Sequence, residues 1–416
     1  MKKSTMLLGM TMLLFCCTLP AAASDYTLGV YGNANEDDTI NMQDVTYTEL
    51  IILEYRDATE LADAKYDGEI DILDMTQIAL IILGREKELT FIDNAERTVT
   101  VEKPIERIVM LSTDSAEVVR CLGGKEKIVG VTTYLAKDTV FFPDIALLPT
   151  VGSSFHPDWE AMLGLDPDLV FAYTSALRPK YFGDTPERLG IVVGGFSNCK
   201  LLTRDIQLRE QGYIIGKRDE AEELINFYHE CTDPVEDVVE GISEEEKPKV
   251  YIECYSDYKA RTSHSGTHAM CEMAGGINIG ADLPGEGTTA MVDPEWIIDQ
   301  NPDIILKVVS GSKVSSGYDE DDPAEMKAAR DAIMSRPGFD GISAVQDGRV
   351  YLICTDICDR SSNSIGVAYM AKWFYPNLFE DLDPQAMHQE YIDDFCGIDY
   401  DLNEHGVFVY PPPEES

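Results

Sequence analysis

Leu165-Asp166-Pro167-Asp168-Leu169-Val170 returns later in the chain as Asn301-Pro302-Asp303-Ile304-Ile305, and this repetition decides the fold. Each copy is a polar turn that leads straight into a short apolar run, Leu169-Val170-Phe171-Ala172 in the first and Ile304-Ile305-Leu306 in the second. Such runs, bounded by turn residues, read as buried strands. Others lie on either side. Ile108-Val109-Met110-Leu111 ends in Ser112-Thr113-Asp114; a helix is expected from about Ser115 to Leu122, closed by Gly123-Gly124 ahead of Ile128-Val129-Gly130-Val131. Ile191-Val192-Val193 completes the first half, and Val250-Tyr251-Ile252 and Val350-Tyr351-Leu352 flank the second copy. Strands that alternate with helices give parallel sheets covered on both faces, an α/β fold. Between the halves, Asp219 to Ile242 is charged and carries Ala221, Leu224, Ile225 and Tyr228 at helical spacing. This predicts a bridging helix, with a kink or an early end near Thr232 ahead of Pro234.

The chain has 416 residues, enough for two or three domains, and 44% of them are hydrophobic, enough to build cores. Its 75 acids against 33 bases leave a net charge of −42. That balance argues against nucleic acid, whose phosphates require Lys and Arg, and against an anionic membrane surface. Lys2-Lys3, the apolar run from Met6 to Leu19 and Ala21-Ala22-Ala23 read as an export signal over residues 1–23, cleaved before Ser24. Phe15 is too bulky for the position before a lipidated Cys16, so a soluble exported protein is expected, in an extracellular, cell-surface or periplasm-like space. Eight cysteines remain: Cys121, Cys199, Cys231, Cys254, Cys271, Cys354, Cys358 and Cys396. They form no paired zinc pattern, and their pairing cannot be read from their spacing.

A second repeat lies near the N-terminus. Leu50-Ile51-Ile52-Leu53 recurs as Leu80-Ile81-Ile82-Leu83, and Asp37, Ile40 and Asp44 recur at the same offset as Asp67, Ile70 and Asp74. Each unit is a polar loop followed by an apolar helix. Asn33, Asn35, Asp37, Thr39 and Asp44 in the first loop, and Asp63, Asp67, Glu69, Asp71 and Asp74 in the second, place oxygens at alternate positions. Calcium takes roughly six to eight oxygens, and a tight loop points alternate residues inward. Thr39 and Glu69 stand where a backbone carbonyl is the usual ligand, and Lys65 replaces one oxygen donor of the second loop. Together these features resemble the duplicated loop-helix of dockerin modules, over about residues 26–87. The resemblance implies a small all-α calcium-binding domain over 24–87. It further implies a cohesin-bearing partner docking through Met42-Gln43 and Ile72-Leu73, unless those residues pack on the chain's own second domain.

The region from 88 to 416 carries a second resemblance. Asp93-Asn94-Ala95-Glu96-Arg97-Thr98-Val99, then Pro104-Ile105-Glu106-Arg107-Ile108-Val109, Leu122-Gly123, Val151-Gly152, the two turn-strand motifs, Ala274-Gly275-Gly276-Ile277-Asn278 and Ala344-Val345-Gln346-Asp347-Gly348-Arg349-Val350-Tyr351 follow one another in order. In this order they resemble the binding proteins of iron-siderophore, haem and cobalamin ABC importers. That implies two Rossmann-like lobes, about 91–215 and 248–395, joined by one long helix over about 219–242, with the ligand between them. It implies an ABC permease as partner, docked through Glu160 in Pro157-Asp158-Trp159-Glu160 and Glu295 in Pro294-Glu295-Trp296, although each also reads as an exposed first-turn acid. The ligand expected is a small molecule, a metal chelate or corrinoid.

Ligands of open α/β sheets sit at the carboxyl ends of the strands. Those loops hold Ser112, Thr113, Asp114, Ser153, Ser154, Phe155, His156 and Tyr173 in the first half, and Tyr255, Tyr258, Arg261, His264, Asp359, Arg360 and Ser361 in the second. Aromatic rings would stack on a chelate or macrocycle, and Arg would hold an anionic group. His264 and His268 stand four apart, yet Ser265-Gly266-Thr267 between them favours a loop over a metal-binding helix face. No Gly-x-Ser-x-Gly elbow, phosphate loop or His-Glu-x-x-His occurs, so no enzyme is expected. The alternative is a cohesin-attached surface module that binds or senses a ligand without transport.

Overall fold

The computed structural model describes residues 27–197, 200–285 and 287–413; the expected export signal and Cys199 lie outside them. At the N-terminus, α1 (Met42–Ile52) and α2 (Ile72–Ile82) are each opened by a capping box, Asn41 with Asp44 and Asp71 with Asp74. The thirty-residue repeat is a structural repeat: Glu36 and Tyr66 share a left-handed backbone, as do Glu54 and Gly84 just past the two helices. The antiparallel pair β1 (Glu88–Ile92) and β2 (Thr98–Glu102) follows.

Lobe 1 consists of β3 (Ile108–Met110), α3 (Thr113–Cys121), β4 (Ile128–Val131), α4 (Trp159–Gly164), β5 (Leu169–Tyr173), α5 (Thr185–Leu189) and β6 (Val193–Phe196). Its four strands are parallel, in the order β4-β3-β5-β6. The chain then runs through α6 (Arg204–Ile215) and the long α7 (Arg218–Val239). Lobe 2 contains β7 (Lys249–Glu253), β8 (Lys259–Arg261), α8 (Gly266–Met273), β9 (Ile277–Asn278), β10 (Thr289–Met291), α9 (Pro294–Gln300), β11 (Ile304–Val309) and α10 (Ala324–Met334). It continues through α11 (Ser343–Gln346), β12 (Val350–Cys354), α12 (Thr355–Cys358), α13 (Asn363–Phe374), α14 (Pro384–Glu390), a π-helical turn at Tyr391–Cys396 and β13 (Val409–Tyr410). β7, β11 and β12 form its parallel centre, with β8, β10 and β13 antiparallel at the flanks.

The repeated turn does the same work in both lobes. Asp166 (φ 47°) and Asn301 (φ 45°) take the left-handed conformation, which Asp and Asn tolerate best among residues with a Cβ. Two residues on, Asp168 Oδ2 accepts the amides of Glu106 (2.7 Å) and Arg107 (2.8 Å), and Asp303 Oδ2 accepts the amide of Lys249 (2.8 Å). Each aspartate thereby pins the incoming strand, β5 or β11, to the start of its parallel neighbour, β3 or β7.

Two expectations shift. The fourth strand of lobe 1 runs over Val193–Phe196, later than Ile191-Val192-Val193, because Gly194 and Gly195 leave room for Phe196 and Leu177 to pack where a Cβ would collide. The bridging helix does not stop at Thr232; it continues through Pro234 to Val239. Pro234 removes the amide that would bond the Glu230 carbonyl, and both residues lie on the exposed side of the helix.

The largest apolar cluster runs from Leu28 and Ile78 through Phe171 and Tyr228 to Trp373 and Tyr391. The N-terminal helices are therefore packed onto lobe 1. Tyr213 bonds both backbone groups of Ile40, Arg209 meets Asp38 at 2.9 Å, and Arg218 caps the end of α2 through the carbonyls of Ile81 and Ile82.

Candidate ligand cleft

A cavity of 410 Å³ lies between the lobes, lined by Thr113, Asp114, Tyr134, Ser154 and Tyr173 of lobe 1 and by Tyr255, Ser310, Ser312, Lys313, Thr355, Asp356, Asp359 and Arg360 of lobe 2. Past Tyr134 and Arg360 it continues into a second hollow of 440 Å³ that adds Lys137, Asp138, Ser315, Ser316, Tyr318, Asp319 and Glu320. Most of these residues follow the carboxyl end of a strand: Thr113 after β3, Tyr134 after β4, Tyr173 at the end of β5, Tyr255 after β7, Ser310 after β11 and Thr355 after β12. A larger hollow of 570 Å³ belongs to α14 and the segment after it, within lobe 2 alone.

The cleft floor joins the lobes. Arg360 Nη2 lies 2.8 Å from Asp356 and 3.2 Å from Asp138 of lobe 1, and its guanidinium sits 4.7 Å from the centre of the Phe141 ring. Burial alone would lower its pKa, but Asp356, Glu117 and Asp138 together hold it well above the usual value. Tyr318 stacks on Phe141 at 4.5 Å. Tyr391 donates to the buried Glu117 at 2.6 Å and lies 3.3 Å from Cys121 Sγ. Arg204 of α6 donates to Asn363 (3.2 Å) and Ser364 (2.5 Å) on α13.

At the cavity wall, Asp359 takes Arg261 Nη2 at 2.9 Å and the Tyr255 hydroxyl at 2.5 Å. Burial, and then Asp359, push the Tyr255 phenol well above its usual range. The Tyr173 hydroxyl accepts the Thr113 amide at 3.1 Å.

Of the residues singled out from the sequence, Thr113, Asp114, Ser154, Tyr173, Tyr255, Asp359 and Arg360 line the cavity. The others stand behind or beside it. Ser112 is buried as the cap of α3, Phe155 lies between Tyr173 and Tyr181, and His156 meets the edge of Tyr181. Tyr258 lies under Arg336, Arg261 braces Asp359, and Ser361 is buried beside Tyr391. His264 precedes the cap of α8, whereas His268 lies inside that helix, between Asn278 and Glu272. Sequence reasoning passed over Tyr134, Ser310, Ser312, Lys313, Thr355 and Asp356. The rule that found Thr113 extends to them, since Ser310-Gly311-Ser312 directly follows β11 and Thr355-Asp356 opens α12 directly after β12. Glu160 and Glu295 occupy equivalent exposed positions, in the first turns of α4 and α9, the helices that precede the two pinned strands.

The N-terminal loops present different donor sets. In the first, Asn33 is fully buried; its amide nitrogen donates to the carbonyls of Leu28 and Asp37, and its Oδ1 has no hydrogen-bond partner. Asp44 is also fully buried, and burial pushes its carboxyl up to about 6. With Asn35, Asp37 and the Thr39 carbonyl, this oxygen-only set fits a calcium ion. In the second loop the Lys65 ammonium already lies 3.1 Å from Asp67, and Asp63 accepts the amides of Asp67 and Gly68. That loop carries its own cation. Among the described residues no three His, Cys, Asp or Glu side chains alone are grouped to hold a metal. Met42 (62%), Ile72 (70%) and Leu73 (49%) are exposed rather than packed on the lobes.

Two α/β lobes bridged by a helix, with a cavity at their facing strand ends, define a bilobal ligand-binding protein. Residues 108–356 match the periplasmic binding protein family, and the chain belongs to it. It is 27% identical, over 70% of its own length and 87% of the relative's, to an uncharacterised ABC transporter substrate-binding lipoprotein of Bacillus subtilis. It is 25% identical to a cobalamin-binding protein of Halobacterium salinarum, over 54% of this chain and 59% of that one. The crystal structure of a TroA-like periplasmic binding protein from Veillonella parvula superposes with a TM-score of 0.65 at 25% identity, covering 77% of this chain and 98% of that one.

Proposed function

We propose that the chain is the exported solute-binding protein of an ABC importer, which captures a metal chelate or corrinoid between its lobes and hands it to a permease. The observation that carries this reading is the interlobe cavity, built from strand-end residues of both lobes. The relatives named for ABC substrate binding and cobalamin binding support it. Glu160 and Glu295 serve as the permease contacts, one on each lobe. The N-terminal helical pair serves as a calcium-dependent attachment module of dockerin type, with the first loop as the stronger site and with Met42, Ile72 and Leu73 facing a cohesin-bearing partner. Titration calorimetry of the mature protein with ferric chelates, haem and cobalamin tests the reading. Saturable binding of one ligand per chain supports it, and no heat with any of them in folded protein defeats it.

A further inference from the structure

Resting on that reading, we propose that the cleft selects a ligand of zero or positive net charge, rich in hydrogen-bond donors, and turns away oxyanions and polyanionic chelates. Both arginines that would attract an anion already face carboxylates, although Arg360 Nη1 and Arg261 Nε are left without a hydrogen-bond partner. Arg360 gives one nitrogen to both Asp138 and Asp356, and Arg261 is held by Asp359 at 2.9 Å. An anion that drew either guanidinium away would leave a half-buried carboxylate facing it without a counter-charge, which is costly in a low-dielectric site. Asp114, Asp319 and Glu320 add further acids to the lining, against Lys137 and Lys313. Lys313 is tethered to Ser256 at 3.0 Å.

Asp319 lies among these acids, its carboxyl pushed up by burial first and then by Asp138 and Asp356, with Arg360 acting against them. The rest of the lining consists of tyrosine rings and hydroxyls, which stack on and hydrogen-bond to uncharged groups. Carboxylates accept hydrogen bonds from amide or ammonium donors and offer none to an oxyanion. The net charge of −42 extends the same bias to the encounter step.

The test compares four probes by calorimetry: cyanocobalamin, which is uncharged; a cationic iron(III) trihydroxamate; molybdate; and an anionic iron(III) tricatecholate. The tighter of the first two is expected to bind at least about a hundredfold more tightly than either anion, the effect of one like-charge contact at intermediate dielectric. In the Asp138→Asn/Asp356→Asn variant, shown by its melt to be folded, Arg360 is released and the gap narrows by about tenfold or more. Should that variant not fold, salt gives the same information in the wild-type protein. Rising ionic strength weakens binding of a cationic ligand and narrows the gap to the anions. An anion that binds as tightly as the uncharged and cationic probes overturns the charge assignment and leaves the solute-binding reading standing. Silence towards all four in folded protein overturns the inference, since neither favoured probe binds, and the solute-binding reading then stands or falls with haem in the titration above.

Discussion

Arg360→Ala removes the cation that ties the two lobes at the cleft floor, and its cost can be worked from the surroundings. The side chain is 11% exposed, and its partners Asp138 and Asp356 are 15% and 19% exposed. Removing one member of a buried charge cluster leaves the others uncompensated, which typically costs about 3–5 kcal/mol. Loss of the contact with the Phe141 ring adds up to about 1 kcal/mol. For a chain of this size each kcal/mol shifts the melting temperature by roughly 2 °C, so a fall of about 6–12 °C is expected.

Differential scanning calorimetry on parent and variant measures the shift, and a double-mutant cycle with Asp138→Asn isolates the cross-lobe part. Replacing Arg360→Met with Asp138→Asn and Asp356→Asn is expected to recover part of the loss, since the two aspartates are no longer stranded and only the buried Glu117 loses this cation. If Arg360→Ala melts within about 2 °C of the parent, the cluster is solvated rather than buried and the clamp reasoning fails.

Calcium at about a hundredfold over its dissociation constant is expected to stabilise the protein by about 2.7 kcal/mol relative to chelator. Asn33→Ala and Asp44→Ala should each abolish that difference in a thermal melt, and a parent protein that melts identically in calcium and in chelator would remove the calcium reading. Glu160→Arg and Glu295→Arg should leave ligand affinity within about twofold and stability within about 0.5 kcal/mol, because both side chains are exposed, while blocking uptake in a reconstituted importer. Unchanged uptake would dismiss these two residues as permease contacts. His229 lies 2.7 Å from Asp205 and 3.2 Å from Asp233, which push it from 6.5 up to about 9. Its folded-state pKa is the higher one, so its stabilisation is complete below about pH 6.5 and is lost as pH rises through about 9. The ring is half-exposed, which limits the effect to under about 1 kcal/mol. Denaturant titrations of His229→Gln should show a shallower loss of stability over that window than the parent, and parallel curves would reject the assignment.

The lobes were legible because their strands are buried on both faces and are announced by Asp-Pro-Asp and Asn-Pro-Asp turns, local signals that need no knowledge of the partner strand. The strand at Val193–Phe196 was misplaced for the opposite reason, since Gly194 and Gly195 carry no hydrophobic signal and gain their place only from Phe196 and Leu177. Pro234 was read as a kink or an early end because propensity is local, whereas α7 runs on to Val239, packed on α6 and α13. In the cleft, position after a strand was enough to pick out Thr113 and Tyr173. It could not show that Arg261 and Arg360 spend their charge on Asp359, Asp138 and Asp356. Those pairs join residues as far apart as Asp138 and Arg360, and no spacing rule reaches so far. Likewise, exposed Met42 and Ile72 were visible as apolar loop positions, but the packing of the same module on Arg209, Tyr213 and Arg218 was not.

The crossings between the lobes bear on how the cleft recognises anything at all. Besides α7, the lobes are joined by Arg360 to Asp138, Tyr318 to Phe141, Tyr391 to Glu117 and Arg204 to α13. A wide swing would have to break buried charge and aromatic contacts together, and packed interfaces of this kind yield in discrete steps rather than by gradual deformation. Discrimination therefore rests on a cavity whose charges are set before the ligand arrives. The same geometry decides which side chains can report binding. Trp373 is buried against Tyr351, Trp159 packs on Phe182 and Trp296 packs against the lobe 2 core, whereas Tyr134, Tyr173 and Tyr255 form the wall itself. A ligand that enters the preformed cleft perturbs those tyrosines directly and reaches the tryptophans only through lobe movement, which the crossings restrain. Strong tyrosine perturbation with little change at tryptophan is thus the signature of recognition by fixed charge, and a large tryptophan response would mean that the floor contacts open.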